Sequence, residues 1–337
     1  MKLLVTHETV YNYQPLVETA QHMAYLTPRP SLAQQVLHHH LAVQPAPLNL
    51  GQIPDVYGNT RSYFDLQTPH RQLRVLATSE VSTSTSACAM PQSSVAWEQV
   101  RERLHYQAGA PFDRASEFVF ASPMVPRLHE FAHYARPSFA PGRSLQEAAL
   151  HLMHRMFADF TYESQSTEVN TPAVVALQQR KGVCQDFAHI LIACLRSLGL
   201  AARYVSGYLL TQPAPGTVKL RGSDASHAWC AVYLPDLPPG QRWLDLDPTN
   251  DRAGWHAPGE DYVTLAFGRD FSDVSPLRGV IHGGASHTLQ VGVTVEPAAP
   301  DDVQPSLPDA TQSQSQSQSQ SQSQSQSQSQ NVNFSGS

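Results

Sequence analysis

The chain has 337 residues, of which 41% are hydrophobic and only 15% charged, with a formal net charge of -6. That length suggests two domains with sizeable cores, and without a basic run there is no electrostatic footprint for nucleic acid or an anionic membrane. The four cysteines, Cys88, Cys184, Cys194 and Cys230, include no CxxC pair, which argues against a zinc ribbon or a redox dithiol and fits reduced cytosolic thiols.

The opening MKLLVTHETVYNYQ lacks the apolar run of a signal peptide. No stretch approaches the roughly 18 consecutive apolar residues of a membrane span, so a cytoplasmic protein is expected. Period-two alternation in Leu3 to Tyr13 and in Arg71 to Val81 predicts a β-rich N-terminal domain over 1–86. Asp55-Val56-Tyr57-Gly58-Asn59 reads as the turn between two of its strands. His38 to His40 do not read as a metal site, because neighbours in a strand point to opposite faces.

A partly helical bridge, 87–142, is expected to be helical around Val95 to Tyr106. The core is expected over 143–297. Ser144-Leu145-Gln146-Glu147 matches a capping box, followed by Leu145, Ala149, Leu152, Met153 and Met156 at helical spacing. Thr171-Pro172 starts a further helix, with Thr171 as N-cap, that stops at Lys181-Gly182, where Gly182 frees the backbone for a reversal.

The stretch KGVCQDFAH, Lys181 to His189, then delivers Cys184 to the start of an apolar helix. The first N–H groups of a helix lack intrahelical partners and its macrodipole is positive there, so both favour a thiolate. Phe187, Leu191, Cys194, Leu195 and Leu198 form one stripe, which makes this helix central and Cys194 a core residue. Asp186 and His189 lie off the Cys184 face and read as structural. Gln185 reads equally as lining the site or as an exposed first-turn residue.

Strand-like runs follow at Ala202 to Leu210, His227 to Tyr233 and Arg242 to Asp247, completing an α+β layout of helices before antiparallel strands. If the last two runs pair with Tyr233 opposite Gln241, His227 falls opposite Asp247, with Cβ atoms roughly 4.5–5.5 Å apart. Asp245 shares that face and is the rival partner, and a register shift of two would favour it. A nucleophilic cysteine needs a base, and the base an orienting group, so Cys184, His227 and Asp247 form a candidate triad. Trp229, two residues after His227, either shields that site or fills the core. Beyond about Pro297 the chain becomes Pro/Asp-rich and then a Ser-Gln array from Gln312 to Gln330, expected to be disordered over 298–337.

The motifs GVCQDFAH, RYVSGY (Arg203 to Tyr208), DASHAW (Asp224 to Trp229), DPTN (Asp247 to Asn250) and GRDFSDVSPLRG (Gly268 to Gly279), with HETVYNY (His7 to Tyr13), resemble the bacterial transglutaminase-like proteins of the papain-like thiol superfamily over residues 1–297. The resemblance implies a papain-like α+β core and a Cys, His, Asp triad at Cys184, His227 and Asp247, acting on carboxamides through a thioester. Tyr162, in Phe160-Thr161-Tyr162, is the candidate side-chain oxyanion donor beside the Cys184 N–H. No metal or other cofactor is implied, and the expected partner is a protein or peptide substrate. Hydrolysis is the expected outcome. Transfer from glutamine to an amine and a non-catalytic peptide-binding module are the alternatives.

Overall fold

A computed structural model describes residues 1–84, 92–109, 111–163, 169–211, 226–284 and 286–298. Cys88, the Asp224-Ala225 end of DASHAW and the Ser-Gln tract lie outside these residues. Five strands form first: β1 (Lys2–Ala24), β2 (Gln34–Gln44), β3 (Asn49–Pro54), β4 (Thr60–Leu66) and β5 (His70–Thr83). Strand β1 alternates buried and partly exposed residues along most of its first half, as a sheet with one covered face requires. The sheet order is β2-β5-β1-β4-β3, and Asp55 to Asn59 is the β3–β4 turn, with Gly58 at φ 76.

Helices follow: α1 (Trp97–Leu104), α2 (His129–Ala135) and α3 (Leu145–Asp159). The Ser144 hydroxyl accepts from the Glu147 N–H at 3.3 Å, the cap its sequence indicated. Next come β6 (Thr161–Tyr162), α4 (Ala173–Gln179), β7 (Lys181–Gly182) and α5 (Cys184–Ser197). The N-cap of α4 is Pro172 rather than Thr171. Helix α5 has Ile190, Leu191, Ile192, Cys194 and Leu195 fully buried, each large aliphatic side chain contributing about 1.5–3 kcal/mol. Arg196 is also fully buried; it donates to the carbonyls of Ala202, Phe120 and Arg269 and so ties three segments to the helix.

The second sheet is antiparallel, in the order β11-β10-β9-β8-β12, from β8 (Ala202–Leu209), β9 (Ser226–Tyr233), β10 (Trp243–Asp247), β11 (Arg252–Trp255) and β12 (Tyr262–Gly268). After α6 (Phe271–Val274), β13 (Leu277–Gly283) and β14 (Ser286–Pro297) return to the first sheet and pair with β1. Residues 277–297 were expected in the core, but their backbone hydrogen bonds are made with the N-terminal strand. A 23-residue β1 leaves edges that β4 and β5 do not fill, and the returning chain fills them.

The two sheets are joined by polar contacts. His7 Nδ1 and the Tyr208 hydroxyl lie 2.8 Å apart, both buried. Gln34 donates to and accepts from the Thr264 backbone, both at 2.8 Å. Asn59 does the same with Phe267, at 2.8 and 3.0 Å, so the turn at Asp55 to Asn59 also acts as a clamp. Among the described residues no helix is long and apolar enough to cross a membrane.

Candidate active site

Cys184 is the first residue of α5 and is half-buried. The turn before it is held by Asp186, whose carboxylate accepts from the Val183 N–H at 2.8 Å, satisfying one donor at the helix start. A Cβ on Gly182 would lie 2.7 Å from that carboxylate, so glycine is needed there for close approach. The left-handed residue is Arg180, at φ 55, which moves the expected reversal two residues upstream.

Strands β6 and β7 pair in parallel, with Tyr162 beside Gly182. This brings the Tyr162 ring near Cys184, although half of the side chain stays exposed. Burial of the phenol, then the charges of Cys184 and Asp186, push its pKa up to about 12, so its proton is retained. The Gln185 amide donates to the Val169 carbonyl at 3.1 Å and anchors the preceding loop. His189 accepts from the Phe271 N–H at 3.2 Å; burial lowers its pKa to about 4.

His227 is the second residue of β9 and lies beside Cys184, whose proximity helps raise the imidazole pKa; the Cys184 Sγ lies 4.0 Å from the Ser226 carbonyl. On the far side, His227 Nε2 is 2.7 Å from Asp247 Oδ2. This leaves Nδ1 for the thiol. The expected contact is present, but the expected register is not. Trp243 pairs with Tyr233 and Leu244 with Val232, a shift of two residues, because the hairpin closes where the Leu234 N–H meets the Arg242 carbonyl at 2.7 Å. His227 and Asp247 are thus diagonal neighbours rather than directly opposed. The shift does not favour Asp245, because it runs the other way and sets Asp245 opposite Ala231, where its carboxylate accepts from the Trp229 indole at 2.7 Å. Trp229 is fully buried, with its ring centroid 6.0 Å from that of His227, so it backs the imidazole.

Two further side chains meet Asp247 that the sequence reading did not single out. The Asn250 amide and the Tyr262 hydroxyl each donate to Oδ2 at 2.7 Å, while the Thr249 N–H donates to Oδ1 at 2.9 Å. Asn250 follows Asp247 by three residues within DPTN, a local signal. Tyr262 arrives from β12 at the far edge of the sheet and gave none. Burial alone would raise the Asp247 pKa, yet hydrogen bonds from His227, Asn250 and Tyr262 hold it below the ordinary carboxylate range. For His227 burial works downward, but the hydrogen bonds and charges of Asp247 and Cys184 outweigh it and push the imidazole up to about 10.

The bacterial transglutaminase-like N-terminal region matches residues 3–82, and the transglutaminase-like superfamily core matches residues 132–248. An uncharacterized protein of Mycobacterium tuberculosis is 41% identical over 297 residues, covering 87% of this chain and 92% of its own. A protein-glutamine gamma-glutamyltransferase of Pseudomonas aeruginosa is 31% identical over 127 residues, 37% of this chain and 18% of that protein. A crystal structure from Cytophaga hutchinsonii, provisionally described as a cysteine protease, superposes with a TM-score of 0.65 at 21% identity, covering 92% of this chain and 94% of that one. At that identity the likeness establishes the fold: an antiparallel sheet and helices of the papain type, beside a β-rich N-terminal region.

Proposed function

The chain belongs to the transglutaminase-like superfamily, and from that premise we propose that it is a cysteine enzyme that cleaves a peptide-type amide through a thioester at Cys184. The observation that carries this reading is His227, hydrogen-bonded to the buried Asp247 at 2.7 Å and placed beside Cys184 at the start of α5. The hydrogen bond and charge of Asp247 help raise the His227 pKa above that of a free imidazole, which supports His227 as the acceptor of the thiol proton.

The thiolate attacks the amide carbon, forming the C–S bond. The developing oxyanion is held by the Cys184 N–H, with the Tyr162 hydroxyl as second donor. As the C–N bond breaks, His227 gives its proton to the departing nitrogen. It then takes one from water, whose oxygen attacks the thioester, and the C–S bond breaks to release acid and restore the thiolate. Asp247 fixes the imidazole tautomer throughout. Transfer to an amine instead of water is the second reading, favoured by the similarity to the Pseudomonas aeruginosa gamma-glutamyltransferase.

Peptide libraries incubated with the enzyme, with and without a primary amine, separate these outcomes by mass, since cleavage, deamidation and amine incorporation leave different changes. Each product should vanish in Cys184→Ala. If no product depends on Cys184, the proposed chemistry is wrong.

A further inference from the structure

A cavity of about 950 Å³ lies between the first sheet and the C-terminal core, at the upper end of the roughly 300–1,000 Å³ typical of ligand sites. One wall is a row across three strands. Met23 on β1 faces Tyr63 on β4 and Arg278 on β13, and directly opposed residues share a face. Val280, next along β13 on that face, is 77% exposed. The other wall is Met124, Val169, Asn170 and Phe271.

That second wall is built on the helix that carries the candidate nucleophile. Val169 accepts from Gln185, the residue after Cys184, and Phe271 is bonded to His189, just over one turn further on. One helix thus holds both this wall and the candidate nucleophile, although none of Cys184, His227 and Asp247 lines the cavity itself. Its chemistry is mixed: thioethers and aromatic rings, together with the side-chain amides of Gln21 and Asn49. Amides of this kind offer both a donor and an acceptor, as an extended main chain requires. Arg278 adds an unmet demand, because its Nε is buried with no hydrogen-bond partner among the described residues, while Nη1 is held by the Ser272 carbonyl at 2.8 Å. A buried donor left unpaired is costly, and a carbonyl or carboxylate oxygen in the cavity would satisfy it.

We infer that this cavity is the docking cleft for the polypeptide segment flanking the target amide, so that the N-terminal sheet selects the substrate whose amide reaches Cys184. The inference rests on the proposed amide chemistry for its purpose, but binding can be measured without turnover. The full chain carrying Cys184→Ala is titrated with random dodecapeptides, retained peptides are identified by mass spectrometry, and their affinities are measured singly. Val280→Arg and Tyr63→Ala, both at exposed positions, should weaken those affinities at least tenfold. Val56→Arg, at an exposed turn position outside the cavity, should leave them unchanged. Thermal midpoints verify that each variant folds. Retention of no peptide at millimolar concentration, or affinities indifferent to Val280→Arg and Tyr63→Ala, would overturn the assignment. If peptides bind as described but the wild-type chain forms no product through Cys184, the cleft stands and the chemistry falls.

Discussion

The Tyr262 hydroxyl donates to Asp247 Oδ2 at 2.7 Å, the same oxygen that faces His227 Nε2 at 2.7 Å. Tyr262 is fully buried, and Arg252 lies 4.8 Å from its ring centroid while forming a two-pronged pair with Asp261. Tyr262 has its ring centroid 5.8 Å from that of His227 and its hydroxyl engaged by the carboxylate. It acts by fixing the carboxylate, and so is a positioning residue.

Tyr262→Phe removes one hydrogen bond to a charged acceptor, worth about 1.5–3 kcal/mol. Turnover should fall roughly 10- to 100-fold with little change in KM. Because Asp247 raises the His227 pKa, a misplaced carboxylate should also move the basic limb of the Cys184 alkylation profile to lower pH. An unchanged profile would reduce Tyr262 to a packing residue.

Asp245 and Asp247 should separate cleanly. Asp247→Asn is expected to lower turnover by several orders of magnitude through a mispositioned or wrong-tautomer imidazole. Asp245→Asn should leave turnover per folded molecule within about threefold. Asp245→Ala, which strands the buried Trp229 indole, should cost about 1–3 kcal/mol of stability, read as a lower thermal midpoint. Greater loss of chemistry from Asp245→Asn than from Asp247→Asn would reverse the assignment.

Selective labelling tests the thiol. Cys184 is half-buried, whereas Cys194 and Cys230 are fully buried and burial pushes both of their thiols well up. Iodoacetamide near neutral pH should therefore modify Cys184 first in the native protein, and His227→Ala should slow that reaction at least tenfold. Peptide mapping over time distinguishes the sites. Equal rates at the three positions would contradict an activated nucleophile.

Stability should fall on the acid side. Burial is the leading cause that lowers His7, His22, His39 and His189 from 6.5 to about 4. The unfolded chain therefore binds more protons than the native one between these values, and stability declines as pH drops from about 6.5 toward about 4. His227 has the opposite sign: its contribution is full below 6.5 and is lost as pH rises toward about 10. Urea midpoints across pH should peak near neutrality. Neither ring nitrogen of His22 has a partner among the described residues, so His22→Phe should flatten the acid slope. A wild-type curve level from pH 4.5 to 7 would contradict this account.

Much of the site was legible locally. Cys184 at a helix start follows from Gly182 and the apolar stripe behind it, and Cys194 as core follows from the same periodicity. The Ser144 cap and the Asp55–Asn59 turn are likewise short-range chemistry. Glycine positions were legible only in part: Gly207 lies in RYVSGY, but the reason is tertiary, since a Cβ there would lie 2.6 Å from the Trp229 ring and 2.2 Å from the Val263 carbonyl.

The sequence by itself determined the residue types of the candidate site, the helix that begins at Cys184, and the β, α and β order of the elements. Periodicity and capping act over a few residues, and those residues are adjacent in the chain. Only the tertiary structure decided the hairpin register, the pairing of 277–297 with β1, and the arrival of Tyr262 at Asp247. A strand register is set by packing and by where the turn closes. Period two is preserved under a shift of two, so alternation predicts the same faces for both registers and cannot choose between them. The His227 contact with Asp247 survives the shift because side chains reach diagonal neighbours as well as opposed ones.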